Sequence, residues 1–363
     1  MKKKVIAIVV TACVVVVAAT IGIVFHNKNS QPSADTDSNG SHSNNTLSDI
    51  LDRWNNADYD YAEDAGDYNN LSDTNYVNNL FEDGVITSQG DYIYISNDKT
   101  IIEYDINTGV AIDLEVELMM VSRLRATEDY VYYHQGRSGT WFRFAKDDGK
   151  IEKVDLDGYT PEGYNDGKEA FYCMSPESTE GHLGTHLYRH DLVTGEKTLL
   201  VENVRRTFVD EKNVYAICYV GEDFYETVLM KASRKTLQFE QVPLSFSPDL
   251  VFASKDDVYL LERTQNYMAA KIVRVSNGVE TELPMMSESY QVYGNKLVYK
   301  TRIGNRLEIY DIEPGETTSI CDKMTTGLYV LHGRYVCYTT YEKAWYKLYD
   351  LETGETKLIY GEE

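Results

Sequence analysis

Short runs of β-branched and aromatic residues, each leading to a tyrosine, recur along the chain between polar turn residues. Runs of this composition are typical of β-strands. The leading tyrosines are separated by 38, 40, 43, 44, 40 and 39 residues, at positions 94, 132, 172, 215, 259, 299 and 338. Self-similarity at a fixed period of about 40 residues indicates a repeat architecture. The pattern therefore predicts seven copies of one β-structured unit.

A second marker recurs in phase with the first. Asp105 to Gly109, Asp191 to Gly195 and Asp350 to Gly354 are close copies that read Asp-x-x-Thr-Gly, whereas Asp311 to Gly315 and Asp147 to Gly149 are degenerate copies. Aspartate at the start of a turn accepts backbone hydrogen bonds, and glycine near its end supplies a positive φ. The marker therefore predicts a tight hairpin turn between the last two strands of a repeat.

Each repeat then holds four strands, predicted in the first one at 84–89, 91–96, 100–106 and 111–116. Four short strands in about 40 residues is the period of β-propellers. The predicted fold class is all-β: a seven-bladed β-propeller of four-stranded antiparallel blades over residues 80–363, preceded by one transmembrane helix and a disordered linker. Six or eight blades remain as alternatives.

The aromatic-Tyr strand followed by a strand ending in Asp-x-x-Thr-Gly resembles bacterial cell-surface β-propellers of unknown function, within the TolB-like and YWTD-like propeller superfamily. The resemblance covers about 280 residues. It implies the fold and a position behind a signal anchor, and it implies no activity because propellers serve many functions.

The N-terminus predicts a membrane anchor. A cytoplasmic leader, residues 1–4, carries three lysines and is followed by an uncharged apolar run over residues 5–25. A helix of that length spans about 30 Å of hydrocarbon, and the lysines orient the remainder outward. A cleaved signal peptide and a lipoprotein site at Cys13 are the alternatives. Residues 26–79 form a polar, acidic stretch that predicts a disordered stalk.

The composition limits the classes of partner that the protein can be expected to bind. The net charge of −23 argues against nucleic acid, whose binding requires a basic surface. A cell-surface protein or polysaccharide is the expected partner of a monomeric propeller. The cysteines outside the anchor show no metal-ligand spacing and are expected as core thiols, with disulfides as the alternative: Cys173, Cys218, Cys321 and Cys337.

Cofactors are not expected, although three histidines suggest a metal. His182, His186 and His190 recur at a spacing of four, which places ligands one turn apart on a helix. On a strand His186 and His190 lie about 13 Å apart and cannot share one ion. Because the repeat phase requires a strand, they are expected to be exposed on a solvent face, with a divalent metal as the alternative.

The variable loops between the second and third strands, together with those between blades, should share one face of the disk. Loops on a rigid scaffold carry function. The ligand-binding candidates on this face are His134, Arg137, Trp141, Tyr225, Tyr267, Arg302, Tyr341 and Trp345. The absence of recognised catalytic motifs favours a non-catalytic binding or scaffold module over the alternative, a carbohydrate-active enzyme such as a metal-assisted polysaccharide lyase or a glycosidase.

The anchor prediction is tested by sequencing the mature N-terminus of the protein extracted from cells. Retention of residues 1–25 is expected, because the apolar run is too long for a signal peptide. A new N-terminus near residues 20–27 would contradict it, and a lipidated Cys13 would establish the lipoprotein alternative.

Overall fold

The computed structural model describes most of the repeat region. The described residues are 60–63, 85–96, 100–114, 116, 121–135, 140–154, 164–165, 168–174, 184–221, 226–262, 270–287, 289–301, 303–325, 329–331, 333–340 and 343–361. The predicted anchor at 5–25 lies outside them. Within the described part of the chain, no helix is both long and apolar enough to cross a membrane.

In the described part of the chain, five of the six sheets have four antiparallel strands in sequence order. Sheet 1 contains β1 (Ile86–Gln89), β2 (Tyr92–Ser96), β3 (Ile101–Asp105) and β4 (Ala111–Asp113). Sheet 2 contains β5 (Val121–Ala126), β6 (Tyr130–Gln135), β7 (Thr140–Ala145) and β8 (Ile151–Val154). The strands of sheet 1 lie within three residues of the predicted bounds, so the four-stranded repeat is confirmed.

Sheet 3 has seven strands. They are β9 (Tyr164–Asn165), β10 (Glu169–Met174), β11 (Thr185–Asp191), β12 (Lys197–Val209), β13 (Asn213–Val220), β14 (Glu226–Ser233) and β15 (Glu240–Val242). The first part of β12 pairs with β11, and its second part pairs with β13. One 13-residue strand is therefore both the last strand of one repeat and the first strand of the next.

The remaining sheets return to four strands. Sheet 4 contains β16 (Pro248–Ser254), β17 (Asp257–Glu262), β18 (Lys271–Ser276) and β19 (Val279–Met286). Sheet 5 contains β20 (Tyr290–Tyr293), β21 (Lys296–Lys300), β22 (Leu307–Asp311) and β23 (Glu316–Cys321). Sheet 6 contains β24 (Tyr329–Leu331), β25 (Tyr335–Thr340), β26 (Lys343–Asp350) and β27 (Thr356–Tyr360).

The prediction of seven separate blades is wrong, because the described structure forms six sheets. All seven leading tyrosines occupy strands as expected, but Tyr172 and Tyr215 lie in the same sheet. The physical reason is the segment Lys197–Val209, which contains no glycine or proline that would end a strand. Asn203 instead adopts a φ of 58°, and the strand passes through it without a connecting loop.

The sheets surround a common axis. First strands contact first strands of other sheets, as β1 does with β5 and β24, and β16 does with β12 and β20. The last strands lie at the rim, where β4 is exposed along its length. We call the end of the sheets that carries the Asp-Gly turns the turn face. The opposite end, where second strands lead into third strands, is the loop face.

Apolar packing between the sheets joins them into a ring. An aromatic series crosses the inner strands of sheets 3, 4 and 5, with ring centroids of Phe208 and Phe252 5.3 Å apart and those of Phe252 and Tyr290 5.2 Å apart. Sheets 1 and 6 share a cluster that includes Ile95 and Cys337. Among the described residues these two sheets exchange no strand, so they are joined by side-chain packing.

The Asp-Gly turns have the predicted chemistry. The carboxylate of Asp105 accepts hydrogen bonds from the backbone N–H groups of Asn107 and Thr108, at 2.8 and 3.2 Å. Gly109 has a φ of 72° and donates its N–H to the Asp105 carbonyl. In sheet 2 the carbonyl of Ala145 accepts the N–H of Gly149, so the turn begins at Ala145 and not at Asp147, where the sequence marker begins.

Four residues of the predicted linker pack on the rim of sheet 2. Tyr61 forms a parallel bridge with Lys153 of β8. The Ala62 N–H donates to the Lys153 carbonyl at 2.8 Å, and the Lys153 N–H donates to the Asp60 carbonyl at 2.9 Å. Residues 60–63 are therefore ordered against the outer edge of this sheet, and the compact unit begins at Tyr59.

The four cysteines of the repeat region are free thiols. Cys218 and Cys337 are buried in the cores between sheets, which confirms the core-thiol prediction for these two. Cys173 and Cys321 are half-buried. Burial raises the pKa of Cys218 to about 12 and raises that of Cys337 further.

Substitution of Asp350 tests whether its ion pair with Arg334 stabilises the fold. Arg334 Nε and Nη2 donate to its two carboxylate oxygens at 3.0 and 2.7 Å, and these bonds hold the pKa of Asp350 at about 2. A carboxylate with a folded-state pKa below its unfolded value of about 3.9 stabilises the fold above that value, and the contribution is lost as pH falls toward 2. Asp350→Asn should therefore lower the free energy of unfolding by roughly 1–2 kcal/mol at pH 7 and by less at pH 3.

Urea unfolding followed by circular dichroism measures this difference. Asp105→Asn is the matched control, because Asp105 makes the same turn bonds with no ion pair among the described residues. Equal losses for the two variants, or a loss for Asp350→Asn that does not depend on pH, would contradict the role of the ion pair.

Thiol labelling tests the burial of the cysteines. In the native protein at pH 8, Cys218 and Cys337 should resist iodoacetamide, since the reactive form is the thiolate and burial disfavours it. All four thiols should react after unfolding in urea. Mass spectrometry of peptides identifies the labelled residues, and rapid native labelling of Cys337 would show that the seam between sheets 1 and 6 is open.

Candidate functional site

Six of the sequence candidates lie outside the described residues: Arg137, His182, Tyr225, Tyr267, Arg302 and Tyr341. The backbone of Trp345 lies in β26, but its side chain is outside the described part. His134 and Trp141 are opposite each other on β6 and β7, with ring centroids 5.3 Å apart. Trp141 is buried and packs with Tyr132 and Val154, so its contacts are those of a core residue.

The histidines of β11 are buried, and the expectation of exposed histidines is wrong. His186 and His190 are only 6% and 8% exposed, opposite Met174 and Ala170 of β10. The strand geometry that was predicted for them is confirmed. Among the described residues, no group of three or more metal-ligating side chains comes together. A metal centre built on these histidines therefore has no support in the described geometry.

The inner strands instead carry a feature that the sequence pattern did not reveal. The register of β5 shifts between Ser122 and Arg125, that of β12 shifts between Val204 and Arg206, and that of β16 shifts between Pro248 and Leu250. All three irregularities lie toward the loop face. A β-bulge leaves a residue outside the ladder and redirects its side chain, and bulges are frequent beside active sites. The irregular positions include Arg123, Arg205 and Asp249.

Two of these residues meet across sheets 3 and 4. Arg205 Nε donates to Asp249 Oδ1 at 2.7 Å, and Arg205 Nη2 lies 2.5 Å from the same oxygen. Arg205 Nη1 donates to the phenol oxygen of Tyr219 at 2.8 Å. We call Arg205, Tyr219 and Asp249 the axial bulge site. The side chains of Arg205 and Asp249 are 23% and 28% exposed, so solvent reaches the group.

Neighbouring residues hold the two bulges in place. The hydroxyl of Thr185 donates to the Val204 carbonyl at 2.9 Å, directly before Arg205. Gly184 approaches the same carbonyl so closely that an added Cβ would lie 2.6 Å from its oxygen. On the other side, the buried hydroxyl of Thr227 donates to the Pro248 carbonyl at 2.5 Å, directly before Asp249. The positions of Arg205 and Asp249 are therefore fixed by the backbone of their strands.

The electrostatics keep Arg205 charged. Burial disfavours the charged guanidinium, but the hydrogen bond to Tyr219 and the charge of Asp249 outweigh it, so the pKa of Arg205 is raised. Its contacts occupy one N–H on each of its three nitrogens. An arginine has five N–H groups. Within the described part of the chain, these contacts therefore leave one N–H on Nη1 and one N–H on Nη2 that can donate to a ligand.

Further positive charge lies at the same end of the inner strands. Arg206 is exposed next to Arg205. Arg123 of β5 is partly exposed and has a φ of 63°, a left-handed conformation that is strained for a residue with a long side chain. Such strain is concentrated at functional sites. The consecutive arginines at 205 and 206 are the one sequence signal that could have indicated this site.

Comparisons with known proteins support the architecture and leave the family open. No family model and no curated protein matches the chain. An acylaminoacyl peptidase of Pyrococcus horikoshii aligns with a TM-score of 0.54 at 11% identity, over 76% of this chain and 52% of the peptidase. A prolyl endopeptidase aligns with a TM-score of 0.51 at 14% identity, over 80% of this chain and 50% of that enzyme. The chain thus spans about half the length of these peptidases.

These matches correct the functional prediction. Solved structures with this architecture at TM-scores above 0.5 include peptidases, so the interpretation as a non-catalytic binding or scaffold module is wrong as the first choice. Identities of 11% and 14% establish the propeller fold alone. They give no support to membership of the TolB-like or YWTD-like groups in particular.

An oligogalacturonate lyase in complex with manganese also aligns, over 83% of this chain and 88% of the lyase, at 13% identity. Its TM-score is 0.47. That similarity is too low to assign a metal or a reaction to this chain. The residues of the axial bulge site are the better basis for a functional proposal.

Proposed function

We propose that this propeller is a carbohydrate-active enzyme that cleaves an acidic polysaccharide by elimination at the axial bulge site. The observation that carries the proposal is the bulged Arg205, which is charged, partly exposed, and held between Asp249 and Tyr219. Its environment combines a cation that can bind a carboxylate with a phenol that can exchange a proton.

Recognition of a uronic acid follows from the donors of Arg205. Its two remaining N–H groups can donate to the two oxygens of a sugar carboxylate, the planar geometry in which arginine binds carboxylates best. Arg123 and Arg206 add positive charge on the loop face. This local charge matters because the protein as a whole is acidic, with a net charge of −23, and would otherwise repel a polyanion.

The chemistry is a β-elimination within the polysaccharide. Binding of the carboxylate to Arg205 stabilises the negative charge that develops when the neighbouring C5–H bond breaks. Tyr219 relays that proton to O4 as the C4–O4 bond breaks, so a C4=C5 double bond and a new O4–H bond form. No water, oxidant or other reactant is consumed. Asp249 positions the Arg205 guanidinium and does not contact the sugar.

The proposal also includes the location of the enzyme at the cell surface. Residues 5–25 would anchor it in the cell membrane with its N-terminus in the cytoplasm, and residues 26–59 would link the anchor to a monomeric propeller outside the cell. Polysaccharide of the surrounding surface would then be the substrate.

The activity is tested with the purified full-length protein on polygalacturonate, alginate and unsulfated glycosaminoglycans. Near-ultraviolet absorbance detects the unsaturated uronate product. Cleavage of at least one substrate is expected. Arg205→Gln and Tyr219→Phe should each lower kcat/KM by about 100-fold or more, because each removes a group that acts in the transition state.

Arg274→Gln is the matched control. Arg274 Nε donates to Asp257 at 2.8 Å on the turn face of sheet 4, so the variant breaks a similar ion pair far from the site and should keep its activity. Activity before and after treatment with a chelator shows whether a divalent ion takes part. Failure to release unsaturated product from any polyuronate, or full activity of Arg205→Gln, would refute the proposal, and cleavage of peptides instead would favour a peptidase role.

A further inference from the structure

Two cysteines lie in the two halves of sheet 3, next to the axial bulge site. Cys218 directly precedes Tyr219 on β13. It is opposite Val204 on β12, and Val204 directly precedes Arg205. Cys173 lies on β10, in the other half of the sheet. The proposed elimination uses neither thiol.

The two halves of sheet 3 pack against each other through the faces that carry these thiols. The Cys173 thiol donates to the Thr207 hydroxyl of β12 at 4.0 Å. Thr207 is opposite Ala216 of β13, and residues two apart on a strand share one face, so Cys218 lies on the same face. Phe171 and Cys218 belong to one apolar cluster, against which Cys173 packs. Both cysteines therefore face the interface between the two halves.

The thiols are close enough to influence each other. Burial and the nearby Cys173 thiol both raise the pKa of Cys218, to about 12. Thr207, which the Cys173 thiol contacts, is a diagonal neighbour of Cys218, and the Cβ atoms of such neighbours are up to about 7 Å apart. A disulfide requires Cβ atoms about 3.5–4.5 Å apart, so we expect its formation to draw the Cys218 end of β13 toward β10.

We propose that Cys173 and Cys218 form a reversible disulfide that regulates the axial bulge site. The oxidant is a small disulfide such as glutathione disulfide. The thiolate of the half-buried Cys173 attacks one of its sulfur atoms and releases one glutathione. The Cys218 thiolate then attacks Cys173 Sγ and releases the second glutathione. The two cysteines together lose two electrons and two protons, which convert the glutathione disulfide into two glutathione thiols.

The disulfide should lower the cleavage activity, and this part of the inference rests on the proposed function. The register of β12 is already irregular between Val204 and Arg206, so the end of β13 can shift there without breaking a regular ladder. Because Tyr219 follows Cys218, the shift moves its phenol away from Arg205. A displacement of about 1 Å can slow a reaction about 100-fold.

Peptide mapping of the full-length protein tests the disulfide independently of activity. The reduced protein is incubated with glutathione disulfide at pH 8, the remaining thiols are blocked, and the digest is analysed by mass spectrometry. We expect a cross-link between Cys173 and Cys218 that dithiothreitol reverses, and Cys173→Ser should prevent it. Cys321→Ser is the matched control and should leave the cross-link unchanged, because Cys321 is also half-buried but packs against a different apolar cluster.

Cleavage assays then test the regulation. The oxidised protein should have a kcat/KM at least tenfold below that of the reduced protein, dithiothreitol should restore it, and Cys173→Ser should be insensitive to the oxidant. A lack of cross-linking, or glutathione retained on Cys173 as the end product, would overturn the disulfide. Complete cross-linking with unchanged cleavage would overturn its regulatory role. Cross-linking in a protein that cleaves no polyuronate in either state would support the disulfide and refute the proposed function alone.

Discussion

Packing between the sheets is the constraint on which the rest of the structure depends. A single twisted sheet of four short strands cannot bury both of its faces, so each sheet needs a neighbour on either side. The ring supplies those neighbours only if its ends meet. Sheet 1 and sheet 6 come from opposite ends of the repeat region, and they are held by a shared apolar cluster and by a hydrogen bond from the Tyr346 hydroxyl to the Ser96 carbonyl at 3.2 Å. The inner strands can carry bulges and charges because this packing fixes them.

Much of the fold could be predicted from the sequence because its signals are local. A leading tyrosine such as Tyr94 is buried between sheets, and an Asp-Gly turn such as Asp105 to Gly109 depends on residues four positions apart. The number of sheets could not be predicted in the same way. The number of sheets depends on whether β12 continues through Asn203. A strand that is shared by two repeats does not change the spacing of the tyrosines, so the spacing could not reveal it.

The candidate site was harder to predict because a bulge is a relation between two strands. The alternation of side chains around Arg205 and Asp249 resembles that of a regular strand, and only the pairing with β13 and β17 shows the shift in register. The histidines illustrate the opposite error. The repeat phase correctly predicted a strand for them, but His186 and His190 are buried instead of facing solvent. Residue type and repeat phase therefore did not show whether these side chains face solvent.

The central claim is that Arg205 binds the carboxylate of an acidic sugar at the loop-face end of the inner strands. A crystal structure of the Tyr219→Phe variant with trigalacturonate tests it most directly, because removal of the phenol oxygen should slow turnover while the guanidinium remains. The account predicts a sugar carboxylate within hydrogen-bond distance of the Arg205 Nη1 and Nη2 atoms. A trisaccharide bound elsewhere on the propeller, or no bound sugar at saturating concentration, would contradict it.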